Sequence, residues 1–148
     1  MAFDLPGFDL DAFVHATLAE DLGPTGRDVT SESVIPADMR FAGVMDSRDP
    51  IVVAGLPIAA AFFRHLDPDI ELEVLAHEGH GVEAGTDLMR IRGKARAMLT
   101  AERSALNTVQ HLSGIATMTR RYVIAIRGTG CTLLDTRKTI PGLRILEK

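Results

Sequence analysis

The chain has 148 residues, 46% hydrophobic and 24% charged, with a net charge of -4 and a single cysteine: an ordinary globular composition with room for one substantial core. This excludes a disordered chain and an internal disulfide framework, and Asp4 with no basic region before an apolar stretch is not the pattern of a secretory signal. The net charge hides a polarity, because residues 1–89 carry 17 Asp/Glu against 4 Lys/Arg while residues 90–148 carry 3 against 12. Such asymmetry points to an anionic partner for the second part, or to a solvated basic helix face.

In chain order, Phe8, Leu10, Phe13, Val14 and Leu18 fall at helical spacing and predict an amphipathic first helix, with Asp9 or Asp11 at its start. Glu20 and Asp21 could bind a cation, but beside Gly23-Pro24 they read as a helix end, and the run from Gly23 to Ser31 reads as a turn. Alternation between Met39 and Val53 predicts two strands around a turn at Asp46–Pro50. A helix rich in alanine and phenylalanine follows from Gly55 to Leu66 and halts near Asp67-Pro68. The longest apolar run, Ile51 to Phe63, is interrupted by Gly55 and Pro57 and falls short of the ~20 residues of a membrane helix.

Two further strands are expected at Ile70–Ala76 and Leu88–Gly93, flanking the turn Glu78–Gly85. Lys94 to about Ile126 is helical in composition, with a break between two helices at Ser113-Gly114. Gly128-Thr129-Gly130 then leads into a strand, Cys131 to Leu134. The pattern is a small mixed sheet with packed helices, then a long helical connection into the first strand of something else, about a domain and a fraction.

Three groups invite a chemical reading. Arg137 and Lys138 directly follow that last apolar strand; a forked guanidinium and a mobile ammonium together suit a small, multiply charged anion. The end of a buried strand is also where α/β enzymes place their sites, while the plain alternative is an edge strand finished by solvated charges. Arg103 lies within roughly 40° of Leu99 and 60° of Leu106 on one helix face, where a guanidinium cannot be buried unpaired. Either it meets an internal carboxylate, or it projects toward an anion or a partner subunit. His77 and His80 have a spacing that can join two imidazoles, but Gly79 and Gly81 oppose a helix there and no third ligand is near, so an exposed turn is expected. Cys131 has no adjacent base and reads as a core residue of its strand; one cysteine fits a reducing compartment, and the cytoplasm is the expected location.

Several linked segments resemble one family, the quinolinate phosphoribosyltransferases, also called carboxylating nicotinate-nucleotide pyrophosphorylases. They are Glu20-Asp21-Leu22-Gly23 with Gly26, Asp28 and Thr30-Ser31; Gly93-Lys94-Ala95-Arg96-Ala97-Met98-Leu99 leading to Glu102-Arg103-Ser104-Ala105-Leu106-Asn107; Ser113-Gly114-Ile115-Ala116-Thr117; and Leu134-Asp135-Thr136-Arg137-Lys138-Thr139 with Pro141-Gly142-Leu143-Arg144. The resemblance spans essentially the whole chain, and Ile140 stands where the family commonly has a second threonine.

The resemblance implies an α/β protein: residues 1–114 as an N-terminal α/β sandwich domain including the central helix, and residues 115–148 as the start of an incomplete α/β barrel whose first strand is Cys131–Asp135. It implies a homodimer in which Arg103 reaches the neighbouring subunit's site. Thr136, Arg137 and Lys138 would then bind quinolinate, with Lys138 the catalytic member. The implied reaction joins quinolinate to phosphoribosyl pyrophosphate with Mg2+, giving nicotinate mononucleotide, pyrophosphate and carbon dioxide in NAD biosynthesis. No metal ligand is expected within this chain, nor any nucleic-acid or membrane partner. The family's remaining contacts lie beyond Lys148, so the 148-residue chain alone is expected to lack turnover. The alternatives are a same-fold paralogue acting on another base, of the kind associated with molybdenum transport operons, and a noncatalytic binding or assembly fragment. A biotinyl or lipoyl carrier, suggested by Glu78–Gly85 with Leu88 and Ile91, lacks its modifiable lysine before Lys94.

Overall fold

The computed structural model describes residues 5–148. Helix α1 (Leu10–Leu22) begins at Asp9, whose side chain accepts a hydrogen bond from the Ala12 amide at 2.9 Å, and ends at Gly23 with φ 64°. Its inward residues Val14 and Leu18 are buried, and Phe13 stacks obliquely between Phe8 and Phe62. A 3-10 turn (Gly23–Thr25) follows.

The expected turn up to Ser31 is instead interrupted by a short helix, α2 (Val29–Val34). Six residues cannot sustain a helix alone. Asp28 caps it by accepting from the Ser31 amide (3.0 Å) and hydroxyl (2.6 Å), while Arg96 donates to the carbonyls of Ile35 (2.7 Å) and Glu32 (3.2 Å) at the other end. Turn-forming residues supplied the cap, and a distant arginine supplied the stop.

Strand β1 (Arg40–Asp46) pairs antiparallel with β5 (Asp87–Lys94), which pairs antiparallel with β3 (Glu71–Val74), giving the order β1-β5-β3. The register sets Met45 opposite Met89 and Leu72 opposite Ile91 on the core face, and Glu71 and Glu73 opposite Arg92 and Arg90 on the other. A second, two-stranded sheet pairs β2 (Ile51–Val52) with β4 (Gly81–Val82), so a strand lies inside the segment expected to be only a turn. Because β4 and β5 belong to different sheets, this region is not the hairpin of a carrier domain.

Helix α3 (Leu56–Leu66) buries Leu56, Ile58, Ala59, Ala60, Phe62 and Phe63. Its first amides, those of Gly55 and Leu56, are both taken by the Glu78 carboxylate at 2.9 Å. Gly55 has φ 99°, and a Cβ there would stand 3.0 Å from Leu112 Cδ1, so glycine permits both the turn and the close approach to the next helix.

That helix, α4 (Ala95–Ala125), runs unbroken for 31 residues. The expected break at Ser113-Gly114 is absent because Ser113 is 2% exposed and docks the helix, accepting from the Ala54 amide (3.0 Å) and donating to the Ala54 carbonyl (3.2 Å). Met98, Ala101, Ala105, Val109 and Leu112 form its buried stripe, which ends there. At the start of α4, Asp67 is fully buried and accepts from the Lys94 amide at 2.9 Å; a Cβ on Gly93 would stand 2.9 Å from that carboxylate and 2.7 Å from Ile70, so only glycine fits. This hydrogen bond, opposed by burial and helped by the Lys94 ammonium, holds the Asp67 carboxyl below the usual carboxylate range.

The expected strand Cys131–Leu134 is not formed: no strand among the described residues pairs with it, Cys131 is exposed, and Leu134 is 79% exposed. A barrel strand needs neighbours for its ladder. The segment instead folds back along α4 and ends in a turn, Pro141–Leu146, whose Leu146 packs against the core. No helix among the described residues is long and apolar enough to cross a membrane.

Candidate functional site

Beyond Ser113 α4 is only partly covered: Ile115 to Thr117 are half-buried and Thr117 Oγ1 accepts from the Val52 amide at 2.8 Å, whereas Met118, Tyr122 and Val123 are 45–57% exposed. The returning segment faces this part of the helix across a cleft of about 850 Å³, whose walls include Tyr122, Leu134, Thr136, Lys138, Ile140 and Glu147. Thr136 and Lys138 are exposed at the surface and both line this cleft, while Arg137 is exposed and does not line it. The Thr136 hydroxyl oxygen accepts from the Lys138 amide at 3.1 Å, a local turn that fixes the backbone between the two cations.

The charge balance of this loop favours an anion. Asp135, the carboxylate next to the cations, is paired with Lys148, whose hydrogen bond and charge hold the Asp135 carboxyl below its usual range. Among the described residues no carboxylate ion-pairs with Arg137 or Lys138. Beneath them, Glu147 accepts from the Ile140 amide at 3.1 Å and meets His111 Nε2 of α4 at 2.7 Å. Sequence reasoning missed His111 and Glu147. They stand 36 positions apart, with no local signal to join them.

Arg103 is not part of this cleft. It projects from α4 about 12 Å along the axis before His111, and its side chain is 73% exposed. Of the two sequence alternatives, the carboxylate partner is present within the chain: Nη1 lies 2.7 Å from Asp21 Oδ1 at the end of α1. The outward aim is present too, so the guanidinium is paired at one nitrogen and open to solvent at the rest.

The remaining candidates serve the fold. Asp28 is held below the usual carboxylate range chiefly by its hydrogen bonds from Ser31, with Thr100 of α4 adding another at 3.0 Å. Glu78 is committed to the start of α3, and the His77 and His80 rings, 5.6 Å apart, lie at the edge of a second cleft of about 780 Å³ beside Arg64 and His65. Among the described residues no three His, Cys, Asp or Glu side chains converge as a metal site.

Residues 28–113 match the N-terminal domain of quinolinate phosphoribosyl transferase, and residues 115–148 match its C-terminal domain. The chain belongs to the quinolinate phosphoribosyltransferase family. It is 45% identical over 143 residues to a probable carboxylating nicotinate-nucleotide pyrophosphorylase of Synechocystis, covering 97% of this chain and 48% of that protein. It is 40% identical over 137 residues to the carboxylating enzyme of Mycobacterium leprae, covering 91% and 48%. The crystal structure of NadC from Streptococcus pyogenes superposes with a TM-score of 0.89 at 32% identity, over 98% of this chain and 51% of that one. The chain thus spans about half the length of the relatives it matches, and α4 carries it across the boundary between the family's two domains.

Proposed function

We propose that this chain supplies the N-terminal domain and the first basic segment of the substrate site of a quinolinate phosphoribosyltransferase, which converts quinolinate and phosphoribosyl pyrophosphate into nicotinate mononucleotide, pyrophosphate and carbon dioxide. The observation that carries this reading is the pair of cations, Arg137 and Lys138, without carboxylate partners among the described residues and beside an apolar cleft, in a chain that matches both domains of the family. Quinolinate needs this combination: an aromatic ring to be desolvated against an apolar wall, and two carboxylates to be neutralised.

In this reading Lys138 holds a quinolinate carboxylate from within the cleft, Arg137 adds charge at its rim, and the Thr136 hydroxyl orders the turn that presents both. Fixing the dicarboxylate aims the ring nitrogen at the ribose carbon, which lowers the entropic part of the barrier. As pyrophosphate departs, the ring nitrogen bonds to that carbon and becomes cationic. The cationic ring then accepts the electron pair left when the adjacent carboxylate is lost as carbon dioxide, and a proton takes its place. No covalent enzyme intermediate is needed.

Arg103, solvent-facing and outside this cleft, is assigned to the site of a second subunit in a homodimer. Residues 1–114 then act as the domain that presents it, and residues 115–148 as the connection into the barrel. The described residues do not fit a protein-bound Mg2+, since Asp135 is engaged by Lys148 and no three donors converge; magnesium belongs here to the phosphoribosyl pyrophosphate substrate as its counter-ion. The 148-residue chain alone is expected to be inactive, and the reaction is assigned to the cytoplasm.

The test is magnesium-dependent pyrophosphate release from phosphoribosyl pyrophosphate by the longest natural polypeptide containing these residues. Release with quinolinate and none with nicotinate is the expected result. No release with either, from a folded protein, would move the assignment to a paralogue acting on another base.

A further inference from the structure

Four bonds determine where Lys138 sits, and two of them come from residues with no role in the reading above. The Thr136 hydroxyl holds the Lys138 amide from one side. Two residues beyond Lys138, the Ile140 amide donates to Glu147 Oε2 at 3.1 Å, while Glu147 Oε1 meets His111 Nε2 at 2.7 Å. The Leu143 amide donates in turn to the Ile140 carbonyl at 3.0 Å and so closes the Ile140–Leu143 turn.

The Glu147 side chain is 7% exposed, although it lies on a surface segment with Arg137, Lys138, Arg144 and Lys148 close by in sequence. A carboxylate withdrawn from water to that degree requires partners, and these two satisfy both of its oxygens. One partner belongs to the rigid helix and the other to the substrate loop. Glu147 therefore ties the loop to α4 through a single side chain.

We infer that Glu147 and His111 are positioning residues: their bridge from α4 to the Ile140 amide holds the Thr136–Ile140 loop so that Lys138 meets an aromatic dicarboxylate inside the cleft. This rests on the proposed function for the identity of the ligand, but the bridge itself is a property of the chain and can be tested without turnover. A loop free to move would still carry its charges and would still attract anions. What it would lose is the fixed distance between the ammonium and the Tyr122 wall, so the penalty falls on quinolinate and spares phosphoribosyl pyrophosphate.

The first arm reads amide hydrogen exchange in this chain. In Glu147→Ala the Ile140 amide is expected to exchange at least about tenfold faster, as an amide does when it loses the acceptor that ties it to a rigid element. The Val53 amide, bonded to the His80 carbonyl next to the two-stranded sheet and not to the loop, should be unchanged and reports that the variant is folded. Glu147→Gln retains an oxygen that can accept from Ile140 and should keep most of the protection. Unchanged exchange at Ile140 in Glu147→Ala overturns the inference.

The second arm reads kinetics in the longest natural polypeptide containing these residues. Glu147→Ala is expected to raise KM for quinolinate about tenfold with KM for phosphoribosyl pyrophosphate unaltered, Glu147→Gln to restore it to within about threefold, and His111→Ala to fall between. Faster Ile140 exchange with an unaltered quinolinate KM also overturns the positioning role. If the unsubstituted enzyme shows no quinolinate-dependent turnover while the exchange arm behaves as expected, the functional reading fails and the bridge stands.

Discussion

The two parts of α4 are one continuous helix with opposite duties. From Ala95 to Ser113 it buries Met98, Ala101, Ala105, Val109 and Leu112 against α3 and the sheets, and it is pinned at its last buried turn by Ser113. From Gly114 to Ala125 it leaves the core and shows Met118, Tyr122, Val123 and Ile124 to the cleft and to solvent. Apolar residues at helical spacing thus mean core in the first part and exposed surface in the second. What separates them is the presence of a covering layer, which periodicity cannot report.

Substitutions on either side of Ser113 should break or sustain this contrast. Leu112→Ala is expected to cost about 2–5 kcal/mol of unfolding free energy by urea denaturation, because the cavity lies between α3 and α4. Tyr122→Ala should stay within about 0.5 kcal/mol; comparable losses at both sites would show that the second part is packed after all. At the boundary, Ser113→Ala leaves the Ala54 amide without its acceptor and is expected to cost about 1–3 kcal/mol.

Acid sharpens the contrast from another side. Asp28 joins α2 to the first part of α4, and its carboxyl lies below the ordinary value in the folded chain. A depressed folded pKa contributes stability that is complete above the unfolded value of about 3.9 and is lost as pH falls through the folded one. The urea midpoint should therefore drop below about pH 4, and Asp28→Asn, which keeps a competent cap, should flatten that dependence. An identical slope in the variant would remove Asp28 from the account. The smallest effect is expected at Arg103→Ala: the guanidinium is 73% exposed and so contributes little, although the Asp21 carboxylate it meets is only 20% exposed, and stability should change by about 1 kcal/mol or less. The same substitution should nevertheless lower quinolinate turnover in the complete enzyme if Arg103 serves a second subunit; unchanged turnover would reject that assignment.

Much of this fold was legible in the sequence. Helices α1 and α3 and strands β1, β3 and β5 follow from spacing alone, because each has one face in the core. Helix α2 was hidden, since Asp28 and Ser31 look like turn residues until Arg96, 61 positions past Ile35, is found closing the other end. The pair Ser113-Gly114 looked like a break because propensity favours one there, and a tertiary hydrogen bond overrode it. In the site, Arg137 and Lys138 were visible as charges after an apolar run. The Asp21 carboxylate that meets Arg103, 82 positions away on α1, and the Glu147–His111 bridge were not, for contacts of that separation exist only once the chain has folded back.

Between the central strand β5, ending at Lys94, and α4, starting at Ala95, there is no linker. The junction is gripped by Asp67 through the Lys94 amide, at a glycine too crowded to accept any side chain. From there to Tyr122 the helix extends about 40 Å, which makes it a lever with its fulcrum in the core and its tip at the cleft. With Ser113 holding the last buried turn, only about 14 Å of helix from Ser113 to Tyr122 is left to swing, and a tilt of about 5° there would carry Tyr122 by only about 1 Å, so the buried first half of the helix sets the aim of the cleft wall.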